Sequence, residues 1–140
     1  MKTFASALLS LALPLMLNAQ QKLLYVSHGK QVDILDKNSG QLSGVISGTE
    51  GVHGIAFDQS TKTIYTSNGE GTISVIHEDQ ANTYSKLKDI ATQEGARTIC
   101  LDSQSHLLYL SVGNIDPKAK DGNGRTKVIP GSFKVLVVGS

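Results

Sequence analysis

A short phrase occurs three times in this 140-residue chain and constrains the fold more than any other feature. The copies are Leu24-Tyr25-Val26-Ser27, Ile64-Tyr65-Thr66-Ser67 and Leu108-Tyr109-Leu110-Ser111, with tyrosines 40 and 44 residues apart. A second phrase keeps the spacing, since Gly54-Ile55-Ala56-Phe57-Asp58 is followed 44 residues later by Thr98-Ile99-Cys100-Leu101-Asp102. A period near 40 residues with four short strands per unit is typical of β-propeller blades. The sequence therefore predicts an all-β fold built from blade-like repeats.

Alternating apolar and polar residues, β-branched residues and turn residues predict about ten strands. We label the strands of a blade A to D from its inner to its outer edge, and the chain then supplies B-C-D, A-B-C-D and A-B-C. We therefore expect an incomplete β-propeller, with roughly ten antiparallel strands in two to three blades; closed propellers typically have four to eight. The expected strands are Leu23–Ser27, Gln31–Asp36, Leu42–Ile46, Val52–Asp58, Thr63–Ser67, Thr72–Ile76, Leu87–Ala91, Arg97–Asp102, Leu107–Val112 and Phe133–Val138.

Residues 1–19 have the composition of a secretory signal peptide. Lys2 supplies a positive charge, an apolar stretch extends from Phe4 to Leu17, and the small Ala19 precedes the expected cut. The alternative is an uncleaved membrane anchor, but the apolar stretch is shorter than the roughly 20 residues that a membrane span needs. No later segment is apolar enough to span a membrane. We therefore expect residues 20–140 to form a partial propeller domain in the periplasm or outside the cell.

The segment Gly113–Gly131 separates the last two expected strands. It is rich in Gly, Lys and Asp and contains Pro117 and Pro130. This composition predicts a long loop or a partly disordered insertion.

Net charge and cysteine content limit the classes of partner. After the signal peptide the chain has 13 − 1 = 12 basic and 12 acidic residues, so its formal net charge is 0. A neutral chain with few aromatic residues offers no electrostatic reason to bind nucleic acid or an anionic membrane. Cys100 is the single cysteine, so it forms no internal disulfide. Its place between Ile99 and Leu101 in an expected strand predicts a buried structural thiol.

Four segments of the chain resemble the YVTN family of 40-residue β-propeller repeats, whose members are often exported bacterial proteins. The segments are LLYVSH, GVHGIAFD, IYTSNGEGTISVIHED and GARTICLD. The resemblance covers nearly the whole chain after the signal peptide, and it is specific for the repeat rather than for a function. Members of that family usually carry about seven blades, so the resemblance implies a ring that this chain fills only in part.

Three interpretations of the missing blades stay open. The chain is a truncated product or gene fragment, it closes by self-association through its open blade edges, or it stands as a small open stack of sheets. Unpaired strand edges invite pairing with another chain, and two copies would bring about six blades together.

The repeat register also ranks the residues that could form a site. Each of the four histidines falls at a different position of the repeat, and no His-x-His, HExxH or paired cysteine occurs, so we expect no metal, no cofactor and no catalytic group. The starts of A strands and the B–C turns should meet at one end of the blades, where binding loops are usually built. That end carries the candidate ligand-binding residues His28, His53, Asn68 and Arg97. Asp58 and Asp102 end successive A strands, and we expect each to accept backbone N–H groups in an Asx-turn.

These observations favour a non-catalytic binding module for an unknown protein or small molecule. One alternative is a lactonase-like propeller hydrolase, but such enzymes hold a divalent metal with Glu, Asp and Asn, where this chain has His53 and Arg97. The other is a nucleic-acid-binding propeller, which the zero net charge disfavours.

Overall fold

The structure, a computed structural model, describes residues 23–28, 30–47 and 51–139. The expected signal peptide, residues 1–19, lies outside these ranges, and the side chain of His28 is also outside the description. The described residues form twelve β-strands in four antiparallel sheets. No helix in this part of the chain is long and apolar enough to cross a membrane.

The first blade is a sheet with strand order β1-β2-β3. Its strands comprise Leu23–His28, Gln31–Asp36 and Leu42–Ser47. Val32 and Ile34 of β2 are fully buried while their neighbours are partly exposed, as expected for a strand with one face on a core. This sheet supplies the B, C and D strands that the sequence predicts.

The second blade has four strands in the order β4-β5-β6-β7. They comprise Val52–Asp58, Thr63–Asn68, Thr72–Gln80 and Thr83–Ala91. All six residues of β5 are buried, because this strand lies inside a sheet that is covered on both faces. The hairpin of β6 and β7 is longer than expected, since its polar end is exposed and lacks the apolar alternation of a half-buried strand.

The third blade has the order β12-β9-β8. Strands β8 and β9 comprise Ile99–Asp102 and Leu107–Val112, and β12 comprises Lys134–Gly139. Strand β8 begins two residues later than predicted, because Arg97 and Thr98 belong to the preceding connection. The three sheets reproduce the expected pattern B-C-D, A-B-C-D and A-B-C, so the prediction of an incomplete propeller is confirmed.

The insertion between β9 and β12 is a hairpin rather than the expected structureless loop. Strands β10 and β11 comprise Ile115–Lys120 and Thr126–Val128. Their turn is closed by the Asp121 carboxylate, which accepts the backbone N–H groups of Asn123 at 2.9 Å and Arg125 at 2.8 Å. These strands were not predicted because they are short, charged and interrupted by Pro117, which is tolerated in a strand that lies at a sheet edge.

Two hydrophobic cores hold the three blades together. The first core lies between the first and second blades and contains Val32, Ile34, Ile46, Ile64 and Ile76. The second core lies between the second and third blades; its buried residues are Tyr65, Ile73, Val75, Ala96, Ile99, Leu108, Leu110 and Val112. The second blade therefore packs both faces on its neighbours, and the first and third blades each pack one face on it, as stacked propeller blades do.

Cys100 does not belong to either core, so the expectation of a buried thiol is wrong. Its free thiol is exposed, whereas Ile99 beside it is buried in the second core. The strand alternates, and the face that carries Cys100 points away from the second blade. The apolar neighbours in the sequence suggested a strand buried on both faces, which holds only for a blade with neighbours on both sides.

Candidate functional site

Connections from the second and third blades meet at the end of the sheets where the A strands begin. The backbone N–H of Gly69, in the turn between β5 and β6, donates to the carbonyl of Gly51 at 3.1 Å. The carbonyl of Gly69 accepts the N–H of Gly95 at 3.0 Å. Gly69 thus joins the segment before β4 to the segment before β8. Backbone hydrogen bonds of this kind fix a loop cluster without help from side chains, and loops on a rigid scaffold are where binding usually occurs.

His53 lies at this end on a β-bulge of β4. The pairing of β4 with β5 shifts between Val52 and Gly54, and His53 is the exposed residue between them. A bulge re-aims a side chain relative to a regular strand. The imidazole lies directly over Gly69, where a Cβ atom would come within 2.6 Å of its Nε2. A side chain at position 69 would therefore displace the ring from this position.

Arg97 has a fixed backbone and an exposed side chain. Its carbonyl accepts a hydrogen bond from the hydroxyl of Ser67, and a Cβ at Gly54 would lie only 2.9 Å from the same oxygen. The main chain at Arg97 is thus clamped against the inner strand of the second blade. Arg97 is exposed, so its guanidinium is available to pair with an anionic or carbonyl group of a ligand.

Asn68 lies at the same end, but its side chain is only 1% exposed and points into the sheet. Its Oδ1 accepts the hydroxyl of Thr66 at 3.1 Å, and its Nδ2 donates to Thr72 at 2.9 Å and to Ser74 at 3.0 Å. Ser74 in turn donates to Asp89 at 2.7 Å. These bonds occupy the amide, so Asn68 holds the turn in shape and is not offered to solvent. The His28 side chain lies outside the described part of the chain.

The β10–β11 hairpin packs against the same end. Gln93 donates from Nε2 to the carbonyl of Gly113 and to Oδ1 of Asn114, both at 3.2 Å. The hairpin carries four basic and two acidic residues, so its formal charge is 4 − 2 = +2. Its basic residues are Lys118, Lys120, Arg125 and Lys127. The loop cluster therefore has a positively charged flank.

The opposite end of the blades carries a side-chain pair that the sequence did not reveal. Asp58 is 1% exposed, and its Oδ1 accepts the backbone N–H and hydroxyl of Ser60 at 3.0 and 2.7 Å. Its Oδ2 lies 2.6 Å from Nδ1 of His106, which belongs to the third blade. Burial alone would raise the pKa of Asp58, but the hydrogen bonds from Ser60 and His106 outweigh it and hold that pKa below its usual range.

The Asx-turn expected for Asp58 and Asp102 is confirmed. Ser60 and Gln104 donate equivalent backbone N–H groups to the two carboxylates, each at 3.0 Å. The repeat also aligns Lys62 with His106, and both residues have positive φ, at 51° and 58°. The hydrogen bond between Asp58 and His106 was not predicted, because the two residues are 48 positions apart in the sequence. The sequence offered one signal for this contact. Asp58 ends the A strand of the second blade and His106 lies in the A–B connection of the third blade, so both lie at the same end of the blades.

No three side chains of His, Cys, Asp or Glu in residues 23–28, 30–47 and 51–139 converge to form a metal-binding group. The exposed candidate residues at the strand-start end are His53 and Arg97. Such a pair supports hydrogen bonding and charge pairing with a ligand.

Comparisons with known proteins support the fold and do not assign a family. No protein-family model and no curated protein matches the sequence. In a crystal structure of the mitotic checkpoint complex, one chain is similar to this protein with a TM-score of 0.57 and 18% sequence identity. The match covers 63% of this chain and 28% of that chain. The neighbour is a β-propeller of the WD40 type, so the comparison shows the propeller fold, and the YVTN resemblance stays a prediction.

Proposed function

We propose that this chain is an exported interaction module of the YVTN propeller type, which acts by binding a partner rather than by catalysis. The observation that carries the proposal is the loop cluster centred on Gly69, whose backbone bonds hold Gly51 and Gly95 in place. A preformed cluster binds without the entropy cost of ordering a flexible loop. The exposed His53 and Arg97 provide its polar contacts, and the basic hairpin extends the surface on one side.

Site-specific photo-crosslinking tests this binding surface. A benzoyl-phenylalanine placed at His53 should capture a partner from the exported fraction of the producing cells as a discrete adduct. The matched control places the same group at Gln59, which is also exposed but follows the other end of β4. Absence of an adduct at position 53, or the same adduct at both positions, would contradict the proposed surface.

The edge of the third blade supports a second form of interaction, self-association. Among the described residues, the outer strand β12 pairs on one side only, with β9. The third blade thus has one strand fewer than the second within these ranges. A shallow depression of about 260 Å³ opens on the second blade at the margin of the second core. Its lining residues are Thr61, Thr63, Tyr65, Val75, Leu87 and Lys88. An added strand would use the free main-chain groups of β12.

A further inference from the structure

One face of the second blade forms half of the second core. Ala56, Tyr65 and Val75 are direct partners across β4, β5 and β6, so their side chains share this face. Ile73, two residues from Val75, lies on it as well. The third blade covers this face, and Tyr65 and Ile73 are almost completely buried.

The third blade repeats that face position for position. Cys100, Tyr109 and Val137 are direct partners across β8, β9 and β12, as Ala56, Tyr65 and Val75 are in the second blade. Val135 pairs with Ser111 just as Ile73 pairs with Ser67. In this copy of the face, Val135 and Val137 are 52% and 58% exposed, whereas their counterparts Ile73 and Val75 are buried. A face built for a neighbouring blade is therefore left open within the described ranges.

The first blade leaves the complementary face open. Leu24 and Val26 of β1 are exposed together with Val45 of β3, which lies across β2 from Val26. In the third blade, the repeat equivalents of Leu24 and Val26 are Leu108 and Leu110, both buried in the second core. Asp33 also lies on this face and accepts a hydrogen bond from Gln31 of its own strand at 2.9 Å, so its carboxylate has a partner there. One chain thus carries both halves of a blade-to-blade contact, at opposite ends of the stack.

We propose that a second copy of this chain covers these faces head to tail, with the third blade of one copy stacked on the first blade of the other. The inference rests on the proposed interaction-module function and specifies the partner for its self-association. Two such contacts related by a twofold axis would join two copies into a ring of about six blades, within the usual range of four to eight. The contact would continue the same stacking that already joins the three blades.

Two single-face variants test the head-to-tail geometry. Val26→Glu places a charge on the first-blade face, and Val137→Glu places one on the third-blade face. Light scattering coupled to size exclusion should give about twice the mass of one chain for the wild type, and each variant alone should lose the closed dimer. An equimolar mixture of the two variants should recover a dimer, because one intact contact remains between unlike copies. Thr83→Glu, at an exposed site near the tip of the β6–β7 hairpin and outside both faces, is the matched control and should stay dimeric.

The Cys100 thiol gives a second readout that needs no variant. It lies on the third-blade face, so association should protect it from a thiol reagent. Diluting the wild type below the dissociation constant of the dimer should raise the labelling rate by about tenfold or more. The rate depends on the fraction of chains whose third-blade face is uncovered, and dilution increases that fraction. Val26→Glu should show the same fast labelling at any concentration, although the substitution lies on the other outer blade.

Four results would overturn the head-to-tail contact: a monomeric wild type at tens of micromolar, variants that stay dimeric, a mixture that stays monomeric, or a labelling rate independent of concentration. A monomer in which residues outside the described ranges cover the faces would give the first of these results. None of these results tests the binding surface at His53, and a failed crosslink at His53 does not test the dimer. The two proposals therefore fail separately.

Discussion

Replacing Asp58 with asparagine is expected to weaken the contact between the second and third blades. The carboxylate is almost fully buried and accepts a 2.6 Å hydrogen bond from His106 of the next blade. A hydrogen bond to a charged group contributes about 1.5–3 kcal/mol. The His106 side chain is 39% exposed, so solvent screening places the value toward the lower end of that range. Asparagine keeps the acceptor for Ser60 and removes only the charge and one acceptor oxygen, so the expected loss is about 1.5–2 kcal/mol.

A double-mutant cycle isolates the bond between the blades. His106→Asn is the suitable second substitution, because asparagine tolerates the positive φ at this position but is too short to reach Asp58. We expect a coupling energy of about 1–2 kcal/mol between the two positions. Urea unfolding followed by circular dichroism measures it, since the chain has no tryptophan to report on packing. Every variant is compared at one protein concentration, because association shifts apparent stability.

Asp102→Asn is the control within the same chain. Asp102 occupies the equivalent turn, and its carboxylate accepts from Gln104 and Ser105. Its bond to His106 joins the backbone N–H of His106 to the backbone carbonyl of Asp102, which the substitution leaves in place. Its replacement should cost much less than that of Asp58. A coupling energy near zero, or equal losses for the two aspartates, would refute the assignment of Asp58 and His106 as a link between blades.

The pH dependence of stability gives an independent test of Asp58. Its pKa in the folded chain lies below the ordinary value, so the carboxylate stabilises the fold above the unfolded pKa of about 3.9 and loses that effect as the pH falls. The wild type should therefore lose more stability than Asp58→Asn on acidification below about pH 5. Parallel pH profiles for the two proteins would contradict this account.

Three further substitutions probe other parts of the fold. Gly54→Ala should cost on the order of 1–3 kcal/mol because its Cβ would lie 2.9 Å from the Arg97 carbonyl, whereas Gly122→Ala, with open space around it, should be nearly neutral in urea unfolding. Asn68→Ala should lose about 1–3 kcal/mol by leaving buried hydroxyls without partners; an unchanged midpoint would contradict its structural role. Burial, aided by Glu78, raises the pKa of Tyr84 to about 12, so stability should fall as the pH rises above about 10. Tyr84→Phe should reduce that fall and be neutral or stabilising at pH 7, because the hydroxyl has no hydrogen-bond partner in the described part; a destabilised variant would contradict this.

The strand pattern could be derived from the sequence because it depends on local periodicity. Strands Gln31–Asp36, Val52–Asp58 and Leu107–Val112 have the predicted bounds, since each alternates between a core face and a second face. The β10–β11 hairpin was missed because exposed, charged strands carry no such alternation. The burial of Cys100 was predicted wrongly because a strand shows which residues share a face, but not whether anything covers that face.

The candidate site could also be predicted from the sequence only in part. The register alone placed His53, Asn68 and Arg97 at one end of the blades, because strand direction reverses at each turn. It could not show that Asn68 is buried among Thr66, Thr72 and Ser74 while His53 is pushed outward by a bulge. These differences depend on side-chain packing around a single turn, to which the repeat spacing is insensitive.

By itself, the sequence determined the repeat and the order of the strands in each blade. These follow from the period-2 geometry of strands and from turn residues, which act over a few positions. Only the tertiary structure decided how the blades touch: the His106–Asp58 bond, the loop cluster at Gly69, and the open faces at Val26 and Val137. Contacts between blades join residues tens of positions apart, and only the packing of whole sheets brings them together.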